Sequence, residues 1–334
     1  MTHVSPMHMA CFILFSLSLP ASALAGTFTT FDPPGSAETF ANGINSSGVV
    51  IGNYSVDAKT VHGFVRAADG TITPFDAPGA SRTDPVFIDD AGRIVGTWSS
   101  GRHGARGFLR DANGTITVFD PPKSKLTFPV GIDADGNIFG TFASHKSKGR
   151  GFIRAADGSY TLVDAPDALV TEIISVNSAG ASTGLYVKQF GPNHGFIRTP
   201  DGTLTSFDVP DAAATAGLSI NSDDTIAGTY IDSDDVDRAF ARNADGTITP
   251  FDPKHSQQTE TAAINDPGMI VGYYDRGDFV IHGFLRKPGG QISTLDEPDN
   301  GVTGTFPASI NKAGTVAGSF SDASGVRHGF IWTK

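Results

Sequence analysis

The sequence predicts an all-β fold, a closed seven-bladed β-propeller with four antiparallel strands in each blade. Three observations lead to this fold class. One motif returns seven times at a spacing of 44 residues, each unit carries the signals of four short strands, and the two ends of the chain match the two halves of one hairpin. Units of this size are typical of propeller blades, so the 334 residues need not form several domains.

The repeat is clearest in a pair of residues, usually Phe-Asp, that closes one strand of every unit. The pairs are Phe31-Asp32, Phe75-Asp76, Phe119-Asp120, Val163-Asp164, Phe207-Asp208, Phe251-Asp252 and Leu295-Asp296. A threonine, an Asn or Asp, and a glycine recur in the same frame, and only the last unit is two residues longer. Self-similarity at a fixed period indicates one supersecondary unit used repeatedly.

Each unit divides into two hairpins. In the unit that begins at residue 63, the four predicted strands span residues 63–66, 71–75, 83–88 and 93–98. Asp69-Gly70 is a hairpin-turn signal, and the Asn or Asp followed by glycine marks a second tight turn. The remaining connections are longer and vary between units. Because alternate connections share an end of the blade, we expect all tight turns on one rim and all long loops on the other.

The ends of the chain predict a closed ring. Residues 26–32 match residues 70–76, the second half of a hairpin, and residues 328–332 match residues 62–66, its first half. The halves can pair only if the first and last blades are neighbours. Closure also removes sheet edges that would otherwise invite aggregation.

Residues 1–25 predict a secretory signal, because they contain no Lys, Arg, Asp or Glu, include the apolar run 11–20 and end in Ala23-Leu24-Ala25. An uncleaved anchor helix is the alternative. A single propeller domain over residues 26–334, secreted or periplasmic, is then expected. Cys11 is the only cysteine, so the mature chain cannot use disulfides, thiolate catalysis or Cys-zinc sites.

The net charge of −11, without a basic cluster, argues against nucleic acid or an anionic membrane as a partner. We expect a monomer whose mature chain has no membrane span. No His-Glu-x-x-His zinc motif, phosphate loop or dinucleotide fingerprint is present.

The repeats resemble those of the bacterial family called extracellular repeat, HAF. The resemblance rests on the His-Gly-Phe triplets that begin at His62, His194, His282 and His328, and on the Asp-Gly-Thr, Phe-Asp-x-Pro and Ile-Asn-x-x-Gly pieces. The family name refers to His-Ala-Phe, whereas the middle residue here is mostly glycine. The resemblance implies export and supplies no catalytic residues.

Residues that recur in every blade are interpreted first as structural. The Asp of the Phe-Asp pair is expected to hold the backbone of the next turn, and the Asn or Asp before each tight turn is a turn residue. An arginine series is expected to pack between blades, at Arg66, Arg110, Arg154, Arg198, Arg242 and Arg286.

Function is expected on the long-loop face, where the repeats differ. If the threonine strand is innermost, the residue after each threonine lies near the mouth of the channel: Phe40, Asp84, Phe128, Glu172, Ala216, Glu260 and Phe306. Aromatic rings stack on sugars, and carboxylates accept hydroxyl hydrogen bonds or ligate hard cations. The alternative is that the Phe side chains pack between blades and the acids are solvated.

An acidic loop forms a second candidate site, for Ca²⁺. Its carboxylates are Asp232, Asp234, Asp235 and Asp237. The loop lacks the glycine and distal Glu of the twelve-residue calcium loop, so a solvated loop is the competing interpretation. No other cofactor is evident.

Three functions remain open from the sequence. The favoured hypothesis is a non-enzymatic exported binding module for a glycan or an envelope protein on the long-loop face. The alternative is a propeller lyase or hydrolase with acids and a histidine at the channel mouth, an expectation that rests on fold analogy. A self-assembling matrix protein is the third, disfavoured by acidic charge and closed edges.

Overall fold

A computed structural model describes residues 26–101, 103–145, 148–299 and 301–334 of the chain. The predicted signal, residues 1–25, lies outside these ranges. The described residues form only strands and their connections, with no helix. Among them, no helix could therefore cross a membrane. The predicted all-β class is confirmed.

The strands form four-stranded antiparallel units, the blades, and are numbered in chain order. The first strands of the blades are β2 (Glu38–Ile44), β6 (Arg82–Ile88), β10 (Ser124–Ile132), β14 (Ala168–Val176), β18 (Ala214–Ile220), β22 (Gln258–Ile264) and β26 (Gly304–Ile310). The second strands are β3 (Val50–Ser55), β7 (Ile94–Ser100), β11 (Ile138–Ser144), β15 (Ser182–Lys188), β19 (Ile226–Ile231), β23 (Ile270–Asp275) and β27 (Val316–Ser321).

The third strands carry the Gly-Phe motif, in which Ala239 replaces the glycine in one blade. They are β4 (Val61–Arg66), β8 (His103–Arg110), β12 (Arg150–Arg154), β16 (Asn193–Arg198), β20 (Asp237–Arg242), β24 (Ile281–Arg286) and β28 (Arg327–Thr333). The fourth strands are β5 (Ile72–Phe75), β9 (Ile116–Phe119), β13 (Tyr160–Val163), β17 (Leu204–Phe207), β21 (Ile248–Phe251), β25 (Ile292–Thr294) and, from the start of the chain, β1 (Thr27–Phe31).

Within a blade, each strand pairs with the next one in sequence. Three pairs of neighbouring blades are also joined by a single parallel residue pair: Val61 with Arg82, Gly149 with Val170, and Ile281 with Gly304. In the last blade, β1 pairs with β28 in antiparallel register, from Thr27 opposite Thr333 to Phe31 opposite Gly329. The predicted pairing of the two terminal strands is therefore confirmed.

The core lies between blades and repeats with them. The Phe of each Gly-Phe motif is fully buried: Phe64, Phe108, Phe152, Phe196, Phe240, Phe284 and Phe330. Its ring lies over a second-strand glycine; a Cβ at Gly140, for example, would stand 2.8 Å from the ring of Phe152. Glycine is needed there because the aromatic ring occupies the space of a side chain.

The arginine series packs between blades, as predicted. In five arginines of the series, the guanidinium lies over the aromatic ring that ends the fourth strand of the preceding blade. Arg110, for example, lies over Phe75 at 5.0 Å. The same contact joins Arg66 of the first blade to Phe31 on β1, at 5.1 Å. Arginine over an aromatic face combines burial with cation–π attraction.

The repeated Asp has a different role from the predicted one. Its carboxylate pairs across the strands with the residue before each Gly-Phe. The pairs are His62–Asp76 (2.8 Å), His194–Asp208 (2.9 Å), His282–Asp296 (2.7 Å), His328–Asp32 (2.7 Å), Arg106–Asp120 (2.7 Å), Arg238–Asp252 (3.7 Å) and Arg150–Asp164. The turn itself is held by the repeated threonine, whose hydroxyl accepts a backbone N–H; in one blade Ala77 donates to Thr83 at 3.1 Å.

The pair between His328 and Asp32 makes the terminal junction sensitive to pH. Burial opposes protonation of the ring, but hydrogen bonds and charge from Asp32 and Asp322 raise the pKa of His328 above its usual value. A raised folded-state pKa contributes stability that is fully present below the ordinary pKa of about 6.5 and is lost as pH rises through the raised value.

We expect His328→Gln to destabilise the chain at pH about 5.5 by up to about 1 kcal/mol, and by less at pH about 8.5. Urea-unfolding curves of both proteins at the two pH values measure the difference. A destabilisation of equal size at both values would contradict the assignment.

Candidate functional site

A cavity of about 430 Å³ lies where the first strands of the blades end and turn. Every blade lines it with the aliphatic residue that ends the strand: Ile44, Ile88, Ile132, Val176, Ile220, Ile264 and Ile310. Since all these strands border one space, the first strand is the innermost strand of each blade. The sequence leaves that point open, and the predicted ring on the long-loop face depends on it.

Hydrogen bonds between blades join the tight turns at this cavity. In most blades the turn Asn donates its side-chain amide to the backbone carbonyl at the same position of the next blade. The donors and acceptors are Asn45 to Asp89 (3.2 Å), Asn177 to Asn221 (2.9 Å), Asn221 to Asn265 (3.2 Å), Asn265 to Asn311 (2.9 Å) and Asn311 to Asn45 (3.1 Å). Arg93 donates to the carbonyl of Asp133 (3.2 Å) where Asp replaces Asn. These polar groups are therefore occupied in joining blades.

The residues predicted to form the ring on the long-loop face lie at one level of the innermost strands. Their register partners on the second strands are Asn53, Thr97, Thr141, Leu185, Thr229, Tyr273 and Ser319. Equal register places them at the same height, but their surroundings differ from blade to blade.

Three of the predicted residues are brought together. Tyr273 donates a hydrogen bond to Glu260 Oε2 at 2.6 Å, and its ring stands edge-on to Phe306 at 5.5 Å. The guanidinium of Arg327 lies 3.6 Å from the centroid of Phe306 and 6.0 Å from that of Phe40. These five residues are called the aromatic–arginine cluster; they extend across three consecutive blades, including the terminal junction.

Tyr273 holds Glu260 in a defined position. Burial raises the pKa of the Tyr273 hydroxyl, and the hydrogen bond to Glu260 raises it further. The hydroxyl therefore keeps its proton at neutral pH and donates it to Glu260. Glu260 remains exposed, and the bond engages its Oε2.

A second cavity, of about 270 Å³, opens beside Glu260 between neighbouring blades. It is named the Glu260 pocket and is lined by Asn193, Ala214, Thr215, Ala216, Leu218, Thr229, Tyr230, Ile231, Asp237 and Glu260. Ala216 is the smallest side chain of the predicted ring, and its size leaves room for the pocket. Two carboxylates, Asp237 and Glu260, thus border one cavity.

The other predicted ring residues stand apart from this group. Asp84 pairs with Arg82 at 2.5 Å, and its Oδ1 is buried without a hydrogen-bond partner. Burial raises the pKa of Asp84, although Arg82 opposes the shift. Phe128 is 41% exposed, and Glu172 has no hydrogen-bond partner among the described residues.

The acidic loop folds as a turn. Asp232 accepts hydrogen bonds from the backbone N–H groups of Asp234 (2.9 Å) and Val236 (3.1 Å), and it pairs with Arg238 at 3.0 Å. Within the described ranges, no group of three or more His, Cys, Asp and Glu side chains has the arrangement of a metal site. The Ca²⁺ prediction for Asp232, Asp234, Asp235 and Asp237 gains no support, because Asp232 is engaged by its own loop and Arg238 while Asp237 faces the Glu260 pocket.

Two residues of the cluster, Tyr273 and Arg327, are missed by the reasoning from sequence. Both depart from the repeat. The positions equivalent to Arg327 are Val61, Ala105, Gly149, Asn193, Asp237 and Ile281. Arg327 is the only basic residue among these equivalent positions, and this exception is the sequence signal that could have identified it.

Solved structures share this fold at low identity. The chain aligns with a puromycin hydrolase (TM-score 0.60, 14% identity, 87% of this chain and 52% of that one). It also aligns with an acylaminoacyl peptidase from Pyrococcus horikoshii (0.62, 10%, 89% and 51%) and a prolyl endopeptidase (0.59, 14%, 88% and 46%). The chain thus spans about half the length of these proteins. No family model and no curated protein matches the chain.

These neighbours correct the functional expectation. A non-enzymatic module for a glycan or an envelope protein was favoured from the sequence, with catalysis as the alternative. That preference is wrong, because the proteins that share the fold are hydrolases and peptidases, which favours the enzyme alternative. At 10–14% identity the likeness itself establishes the fold alone. The HAF-repeat resemblance and export stay predictions.

Proposed function

We propose that residues 26–334 form a closed seven-bladed propeller that hydrolyses an amide bond of a peptide-like substrate, with Glu260 as the base that activates water. The observation that carries the proposal is the Glu260 pocket, where a carboxylate positioned by Tyr273 borders the same cavity as a second carboxylate, Asp237. The names of the structural neighbours support an amide as the bond that is cleaved.

Support for the closed ring comes from contacts that cross from the last blade to the first. Asn311 donates to the carbonyl of Asn45 at 3.1 Å, and Ser309 Oγ accepts the backbone N–H of Ile44 at 3.3 Å. Hydrogen bonds of the same two kinds join other neighbouring blades. The pairing of β1 with β28 completes the last blade with a strand from the start of the chain.

The chemistry assigned to the pocket follows from the two carboxylates. Glu260 removes a proton from water as the oxygen attacks the amide carbon, and the proton reaches the leaving nitrogen as the C–N bond breaks. Asp237, on the same pocket, is the candidate for relaying that proton: it accepts the proton from protonated Glu260 and donates it to the leaving nitrogen, so that both groups end the cycle as carboxylates. General acid–base assistance of this kind contributes about 10²–10⁴-fold to rates. Tyr273 fixes one oxygen of Glu260 and leaves the other for water.

We expect the full chain to cleave short peptides such as Ala-Ala-Ala and Gly-Pro-Ala, and Glu260→Gln to lower kcat by at least about 100-fold. Mass spectrometry of the products measures both. Asp237→Asn should act in the same direction, whereas Tyr273→Phe should cause a smaller loss because it only orients Glu260.

The matched control is Asp223→Asn, which removes an exposed carboxylate on the tight-turn rim. It should keep the activity of the unaltered chain. Absence of turnover for every peptide, or full activity of Glu260→Gln, would reject the proposal.

A further inference from the structure

We infer that Arg327 is a binding site for a carboxylate, and that in the proposed reaction it recognises the free C-terminal carboxylate of the peptide. The second part of this inference rests on the proposed function. The first part rests on the aromatic–arginine cluster alone.

Arg327 is a guanidinium that is held in place but not neutralised. It lies against the face of Phe306 at 3.6 Å, with Phe40 on the adjacent blade at 6.0 Å. It forms no ion pair with a carboxylate of the described residues, whereas Arg82, Arg238 and other arginines near the long loops do. Its stacking leaves the edge of the planar group, which carries the N–H donors, free for a ligand.

The positive charge of Arg327 favours an anion at this position. Burial lowers the pKa of Arg327 and the nearby Glu38 and Tyr273 oppose that shift; an arginine stays charged in proteins. No carboxylate of the described residues forms an ion pair with this half-buried cation, so it gains more from a bound carboxylate than a solvated arginine does, because it has already lost part of its hydration. The fork of N–H donors matches a carboxylate in a bidentate arrangement.

The location suits a peptide whose cleaved bond reaches Glu260. A continuous series of contacts leads from Arg327 through Phe306 and Tyr273 to Glu260, on adjacent blades and at the long-loop end. A carboxylate bound at Arg327 would therefore direct the residues before it towards the Glu260 pocket. The inference assigns the substrate class as peptides with a free C-terminus.

Binding without turnover tests the site. Isothermal titration of the full chain with 3-phenylpropanoate and with its neutral analogue 3-phenyl-1-propanol should show a preference of about 10- to 100-fold for the acid. Arg327→Gln should abolish the preference, and Arg327→Lys should restore part of it. Equal binding of the two compounds by the unaltered chain would overturn the inference without any variant, and so would a preference that survives Arg327→Gln.

Turnover separates this inference from the proposed function. If hydrolysis occurs, Ala-Ala-Ala should have a KM about 10- to 100-fold lower than its C-terminal amide, and Arg327→Gln should remove the difference while kcat changes less. If no peptide is cleaved but the acid preference depends on Arg327, the proposed hydrolase is rejected and the carboxylate site stands.

Discussion

Replacing Phe152 by alanine is expected to lower the free energy of unfolding by about 3–5 kcal/mol. The ring is fully buried and contacts Phe119, Phe142 and Tyr160 at centroid distances of 6.0–6.4 Å. It also covers Gly140, which has no side chain that could move into the space. The cavity left behind would therefore stay largely open, and open cavities account for the large losses.

Urea unfolding followed by far-UV circular dichroism measures this loss. Phe128→Ala is the matched control, since that ring is exposed and its removal should change stability by less than about 0.5 kcal/mol. Similar losses for the two variants would mean that the blade interior does not carry the stability.

Removing residues 1–31, and with them β1, is expected to have the second large effect. The deletion uncovers one edge of β28 and removes the contacts of Phe28 with Phe330 (5.3 Å) and of Phe31 with Phe64 (5.8 Å). Phe28 and Phe31 are half-buried, so their loss costs less than the roughly 3–6 kcal/mol of two fully buried Phe side chains, and the new edge is a template for intermolecular pairing. We expect a chain that associates or unfolds at room temperature.

A chain that begins at Gly26 is the reference for this deletion. Thermal melts and size-exclusion chromatography compare the two, and a synthetic peptide covering residues 26–33 should restore the monomer by adding the missing strand in trans. A deleted chain that melts with the reference and stays monomeric would argue against β1 as an integral part of the last blade.

Much of the fold follows from the sequence because the repeat supplies the same signal many times. The strands predicted over 71–75 and 83–88 lie over Ile72–Phe75 and Arg82–Ile88 in the structure. Turn residues and alternating apolar positions determine these elements locally, so a single unit is enough to read them.

The partners of repeated polar residues could not be predicted in this way. The Asp at position 76 was expected to hold a turn, but it pairs with His62, while Thr83 holds the turn. Both arrangements satisfy a local rule, and the choice depends on which side chain faces which strand in three dimensions. Sequence spacing alone does not contain that information.

The sequence predicts only part of the candidate site. Glu260, Phe306 and Phe40 lie at one height of the first strands, because register follows from the repeat, and their role in binding stays a prediction. Tyr273 and Arg327 come from the second and third strands, and their approach depends on the way adjacent blades stack. A comparison of equivalent positions in the repeats would have identified Tyr273 and Arg327, because both residues depart from the repeat.

The pairing of β1 with β28 also determines when the molecule can be completed during synthesis. β1 is made about 300 residues before its partner, Arg327–Thr333. At 5–20 residues per second, synthesis of the residues between them takes roughly 15–60 s, during which the strand that carries Phe28 and Phe31 has no pairing partner. The last blade therefore folds only after β28 has been made, and the newly made chain depends on protection of its first strand until then.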